Sequence, residues 1–308
     1  MVNDALNLPS VRFCTPLKSR SNNTTMRAAK AVTISALLLQ CALVMSPAQG
    51  ANLTAWDTLN QEIGSLINQG HPDRAIIVAK RALALAERTH GVNHVDVAES
   101  LSFLAYLYRT QADFGEAERL YQRALTIYEK SLGAEHLLVA YVQDGLAYVY
   151  VRQGKYSLAE PLYQHALAVR EKALGPVHLD VAWTLYRLGT LYAHQKKLAQ
   201  AESLYLRALA IREKALGPDD ARVSQILNEL ATLYFSQDKY TQAEPLFKRA
   251  LGIVEKSRSP DDLDIAFVLT DLARTYSAQK NYEKATLLFE RALTIWGKKP
   301  WPDSFLCW

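Results

Sequence analysis

A length of 308 residues suggests two compact domains, and a formal charge of +4 suggests a mildly basic chain. The charge is unevenly placed. Residues 1–50 hold five bases (Arg12, Lys18, Arg20, Arg27, Lys30) against one acid (Asp4), leaving thirty of each sign for 51–308. A neutral body argues against nucleic acid as the partner.

The first fifty residues stand apart from the rest. Arg27 and Lys30 precede an apolar run, Ala31 to Met45, and Ser46-Pro47-Ala48-Gln49-Gly50-Ala51 follows it with small side chains. Basic, then apolar, then small is the order of a secretory signal peptide, here about 26–50. Met26 is the natural start of such a segment, with 1–25 an over-extended gene reading. The run falls short of the about 20 residues of a comfortable membrane span. An uncleaved anchor is the alternative, with membrane contact through residues 27–45. A mitochondrial transit sequence is a third reading, but it should be amphipathic, and 31–45 is apolar all round. Leu39-Gln40-Cys41 has too bulky a residue before its cysteine for lipid attachment. The expected location is exported, either periplasmic or secreted. Removing the segment leaves only Cys307, which cannot form an internal disulfide.

From residue 52 to 297 the chain repeats itself every 42 residues. The clearest copy runs from Val95 to Gly133, and further copies end at Gly175, Gly217, about Ser259 and about Trp301. A weaker copy, Trp56 to Gly91, precedes them, with Glu62 and Ala79 where later copies have leucine and an aromatic. A terminal repeat has one face on solvent and should be the more polar one. Within a copy, Leu101, Leu104, Ala105 and Tyr108 lie on one helical face, and Ala117, Tyr121 and Ala124 on another. Gln111 to Asp113 makes a polar turn between them. Ala recurs at 75, 117, 159, 201, 243 and 285, and again at 82, 124, 166, 208, 250 and 292. Small residues at fixed depth let two helix backbones approach, while Tyr108, Tyr150, Tyr192, Tyr234 and Tyr276 fill the space beside them. The unit is thus an antiparallel helix hairpin. An array of such units grows by addition, so 52–297 is one elongated domain of about six hairpins.

The Leu–Leu–Ala–Tyr…Ala–Tyr–Ala pattern resembles the tetratricopeptide repeat. That repeat is usually about 34 residues long; the additional eight here lengthen the second helix and its exit loop (LTIYEKSLG, LAVREKALG, LAIREKALG). The long variant, with its G-x-x-H-x-D-V-A link, is similar to the repeats of kinesin light chain and its bacterial relatives. The resemblance covers about 52–300. It implies an all-α fold, a right-handed superhelical α-solenoid whose concave groove takes peptides or helices.

The links carry capping signals. Asp96 with Glu99 three residues later reads as an acidic N-cap, and Asp180 and Asp264 repeat it. Gly133, Gly175 and Gly217 sit where the second helix must stop in a left-handed turn. His94, His136 and His178 share one repeat position, which places them successively along an edge rather than around one ion. His90 and His94 are separated by the Gly91 break. No metal site is expected. The face of the first helices that leaves the packing stripe carries the candidate partner-binding residues: Phe103, Tyr106 and Arg109; Tyr141, Asp144, Tyr148 and Arg152; Trp183, Tyr186 and Arg187; Asn228 and Phe235; Phe267 and Arg274. Aromatics with Arg are the residue types that anchor interfaces. Either they stay accessible or superhelical curvature buries several of them against neighbouring first helices. The family's carboxylate clamp uses paired Lys and Asn; here Asn228 stands alone and no Lys appears. A peptide carrying an acidic residue beside an aromatic suits Arg109, Arg152 and Arg187 better.

The tail, 298–308, holds Trp301, Phe305, Leu306 and Trp308, and is expected to cover the last hairpin or to mediate dimerisation. The chain has no Walker A, nucleophile-elbow, H-E-x-x-H or C-x-x-C motif. The expectation is a protein–protein interaction scaffold, not an enzyme, with no cofactor and with another protein or peptide as partner. The alternative is a structural component of an envelope complex that works through its terminal faces.

Overall fold

The computed structural model describes residues 54–297. Among these lie twelve α-helices: α1 (Ala55–Asn68), α2 (Pro72–His90), α3 (Val95–Thr110), α4 (Phe114–Leu132), α5 (Leu137–Arg152), α6 (Tyr156–Leu174), α7 (Leu179–His194), α8 (Leu198–Leu216), α9 (Ala221–Phe235), α10 (Tyr240–Ser257), α11 (Leu263–Ala278) and α12 (Tyr282–Gly297). Each odd-numbered helix packs on the even one after it, and each even one on the next odd one. The product is an all-α solenoid of six hairpins. The expected targeting segment, residues 1–50, and the C-terminal tail, 298–308, lie outside the described residues.

The alanine stripes explain the close approach. All twelve repeated alanines are buried, and Tyr121, Tyr163, Tyr205 and Phe247 fill the space between them with at most 1% exposure. In the first hairpin Ala79 takes the aromatic slot and is wholly buried, while Glu62 is exposed, as suits the first unit of a stacked array. Trp56 Nε1 fastens α1 to the second hairpin by donating to Ser100 Oγ at 2.9 Å.

Each hairpin turns the same way. Residues 70, 112, 154, 196, 238 and 280 all take positive φ, between 57° and 75°. The following N–H reaches back five residues, as from Asp113 to the Tyr108 carbonyl at 3.0 Å and from Lys197 to that of Tyr192 at 2.9 Å. This is a Schellman closure, and it recurs whether or not the turn residue is glycine.

The links between hairpins correct two expectations. Gly91, Gly133, Gly175 and Gly217 have φ near 86° but ψ of 155–160°, which is an extended region open only to glycine rather than the left-handed helical one. Ser259 occupies that slot after α10, and α10 accordingly stops at 18 residues instead of 19, with Arg258 extended. The caps are also displaced by two residues. His94, His136 and His178 are the N-caps, their Nδ1 atoms accepting from the backbone N–H two residues on at 3.1–3.3 Å. Asp96 and Asp180 lie inside the first turn. Asp220 and Asp262 do the same work at 2.8 and 2.9 Å, and Asp264 again lies inside. An imidazole nitrogen replaces a carboxylate oxygen, which is why His recurs in register.

Candidate functional site: the inner face

The backbones of successive first helices (α3, α5, α7, α9, α11) come close to one another, and those of the second helices do not. The first helices therefore take the inner, shorter side of the curve. Spacing carries the inner face up α3 through Tyr106 and Arg109, up α5 through Tyr148 and Arg152, and up α7 through Trp183 and Arg187.

The structure brings these together around one ring. The Arg187 guanidinium lies 4.6 Å from the Tyr148 ring centre and 4.3 Å from that of Trp183. Arg109 lies 4.9 Å from Tyr148 and 4.8 Å from Tyr106. Arg152 donates to the Tyr148 hydroxyl at 2.9 Å and stacks on Phe114 at 5.0 Å. Among the described residues, no carboxylate is within ion-pair distance of any of the three. Burial raises the Tyr148 phenol's pKa, yet Arg187, Arg152 and Arg109 outweigh it and leave the group below its ordinary value. Guanidinium over an aromatic face is favourable by about 0.5–2 kcal/mol per contact and leaves the edge N–H groups free to donate.

Further along, the inner face changes sign. Glu229 on α9 sits near Asp271 on α11, with the Tyr186 hydroxyl 3.5 Å from its Oε1. Burial and Asp271 push the Glu229 carboxyl up to about 7. Arg274 pairs with Asp271 at 3.2 Å and covers Phe235 at 5.0 Å.

Three expected wall residues lie elsewhere. Phe103, Asp144 and Tyr186 are 5–7% exposed, because the offset that carries them off the packing stripe also carries them into the seam between first helices. Asp144 meets the Arg170 guanidinium from α6, which also bonds Thr184 on α7. Burial raises the Asp144 pKa against the pull of Arg170. Tyr106, Arg109, Tyr141, Tyr148, Arg152, Trp183, Arg187, Asn228, Phe235 and Arg274 are half-buried, and Phe267 is exposed but edge-on to Trp296 at 4.9 Å. Asn228 Oδ1 is buried with no hydrogen-bond partner.

Sequence reasoning missed Arg170 and Arg212. They share a repeat slot with Tyr128 and Val254, and a charge in an apolar register was the available signal. Arg212 is 3% exposed; its Nη1 donates to the Arg222 carbonyl at 2.5 Å, and it faces Tyr186 at 5.4 Å. Burial lowers its pKa to about 10.

The tetratricopeptide repeat family model matches residues 57–130, 107–172, 137–214 and 222–298. The chain belongs to the tetratricopeptide repeat family. No curated protein matches it. Among solved structures, BtubC (BKLC) from P. vanneervenii is 26% identical, with a TM-score of 0.61 over 78% of this chain and 91% of that one. The nearly identical TPR-like repeats of a putative kinesin light chain from Podosopora anserina are 24% identical, with a TM-score of 0.58 over 67% of this chain and 97% of that one. The apo form of RapI shares the fold at 15% identity, with a TM-score of 0.58 over 79% and 98%. The repeats are thus kinesin-light-chain-like. Proteins of this family are generally protein–protein interaction scaffolds, and the fold is a non-catalytic scaffold type.

Proposed function

We propose that the chain is an exported scaffold whose inner face holds a peptide or helical segment of another protein, one that presents an acidic residue beside an aromatic. The observation carrying this reading is the convergence of Arg109, Arg152 and Arg187 on Tyr148, with no carboxylate among the described residues in ion-pair contact with them; Asp144 and Glu229 act on Arg187 only at longer range. Three like charges repel one another, and an incoming carboxylate relieves that repulsion while its aromatic neighbour extends the stack against Trp183. Peptide arrays that vary acidic, basic and aromatic positions test the reading. Acid-plus-aromatic peptides should be enriched, their binding should fall about tenfold with Arg187→Gln, and it should weaken in high salt. Enrichment of basic peptides, or binding indifferent to Arg187→Gln, overturns it.

Export rests on the basic–apolar–small order of residues 27–51. N-terminal sequencing of mature protein should give a start near Gln49–Ala51, and an intact N-terminus removes the claim. A second reading, assembly through the terminal faces, draws on Tyr282, Leu287 and Leu293, which are 59–64% exposed on α12. Crosslinks to partners from α12 rather than from α5 and α7 would favour it.

A further inference from the structure

The link between the first and second hairpins holds a side-chain set that the other links lack. His90 ends α2, His94 caps α3, and Asp96 lies in the first turn of α3. The Gly91 break, which separates the two histidines in sequence, folds them back on each other: their ring centres are 4.5 Å apart. One ligand atom from each of His90, His94 and Asp96 lies within 4.8 Å of the others. The spacing that argued against a metal holds for His94, His136 and His178, but not for this set.

We propose that His90, His94 and Asp96 form a zinc site that ties the first hairpin to the second. Two ligands bound at about 2.1 Å with tetrahedral angles stand about 3.4 Å apart. His94 Nδ1 is already 3.4 Å from Asp96 Oδ2. His90 Nδ1 is 2.6 Å from the same oxygen, a hydrogen-bond distance that opens when the shared proton is exchanged for the ion. Two imidazoles and one carboxylate suit Zn²⁺ and its borderline neighbours, whereas Mg²⁺ and Ca²⁺ need more oxygen ligands. The fourth position is left to water. Binding takes the Nδ1 lone pair of His94 from the Asp96 N–H, a cap bond that is already long at 3.3 Å, on an exposed helix end that water can reach.

The array supplies its own controls. The slot of His90 is filled by Leu132, Leu174 and Leu216 in the next three copies, so His90→Leu installs a residue this link is built to hold. The third link has His178 and Asp180 in a similar arrangement, with Nδ1 to Oδ2 of 3.7 Å against 3.4 Å in the first link, and has Leu174 in the place of the first histidine. Leu174→His therefore completes a second set.

Calorimetric titration of the tag-free, EDTA-stripped full chain with ZnCl2 tests the site. The wild-type chain should take up one equivalent more than His90→Leu, with micromolar or tighter affinity. Leu174→His should add one further equivalent, and both variants should keep the wild-type helical circular dichroism. Zn²⁺ should raise the Tm of wild type by a few degrees and leave that of His90→Leu unmoved. Equal stoichiometry in wild type and His90→Leu overturns the proposal, whether the common value is zero or not. Failure of Leu174→His to gain an equivalent also overturns it, because the argument is geometric and the geometry repeats.

Discussion

Glu229 sits among groups that pull its proton affinity both ways. Burial and Asp271 raise its pKa, while the Tyr186 hydroxyl and Arg187 lower it, and the balance falls at about 7 against an ordinary 4.5. A carboxyl whose folded pKa is raised contributes stability that is complete below its unfolded pKa and is lost as pH climbs through the folded value. The window is therefore about pH 4.5 to 7 and just above. At about 1.4 kcal/mol per pKa unit the ceiling is roughly 3 kcal/mol, and an inner face open to water brings it lower. Glu229→Gln should stabilise the chain by about 1–2 kcal/mol at pH 8.5 in urea unfolding and change nothing near pH 4. A gain of the same size at both pH values would mean that ionisation is not the cause.

At the scale of one helix, the repeated small residues act as spacers, and two glycines show the contrast. A Cβ on Gly145 would stand 2.6 and 2.8 Å from ring carbons of Tyr121 and 2.9 Å from its hydroxyl, and this side chain is 1% exposed and cannot move aside. A Cβ on Gly252 would meet nothing within 4 Å. Helix propensity favours alanine at both by about 1 kcal/mol, but overpacking costs about 1–3 kcal/mol at the first alone. Gly145→Ala should lower stability by up to about 2 kcal/mol and Gly252→Ala should raise it by about 0.5–1 kcal/mol, both read from urea midpoints. The same logic separates what was legible in the sequence from what was not. The alanine stripes and the Tyr121-type aromatics were legible because a buried slot of fixed volume constrains every copy alike, whereas the Tyr108-type ring is only half-buried at Tyr108 and Tyr234. The inner face was legible for Tyr148, Arg152, Trp183 and Arg187, which differ from copy to copy and stay at the surface. It was not legible for Phe103, Asp144 and Tyr186, because half a turn from the core stripe is both a wall and a seam, and only the curvature decides which. The histidine caps were hidden for another reason: a ring nitrogen accepting a backbone hydrogen bond leaves the same trace in a sequence as a metal ligand.

Across the whole molecule, the second helices are held by side chains that reach over the gap between their backbones. Arg123–Glu87, Arg207–Glu171, Arg249–Glu213 and Arg291–Glu255 repeat one ion pair at 2.5–2.7 Å. Three of these arginines also reach a carbonyl of the link beyond the glycine, at Val92, Pro176 and Pro218. The series is broken once, where His165 stands in the arginine slot and bonds Gln143 at 2.8 Å, leaving Glu129 opposite it exposed. Partly exposed pairs contribute about 0.2–1 kcal/mol each, but in a stacked array each such pair acts at an interface between neighbouring units, where cooperativity resides. His165→Arg should restore the pair with Glu129 at the loss of the Gln143 contact and of the approach of His165 Nε2 to Glu135, now 3.6 Å. The net gain should be about 0.5 kcal/mol in low salt and should vanish or reverse near 0.5 M NaCl, where a Debye length of about 4–5 Å screens half-exposed charges. Thermal melts of both chains at the two salt concentrations decide the matter by their difference. A gain that persists in high salt would assign the effect to packing of the longer side chain, and the outer face would then be held by contact rather than by charge.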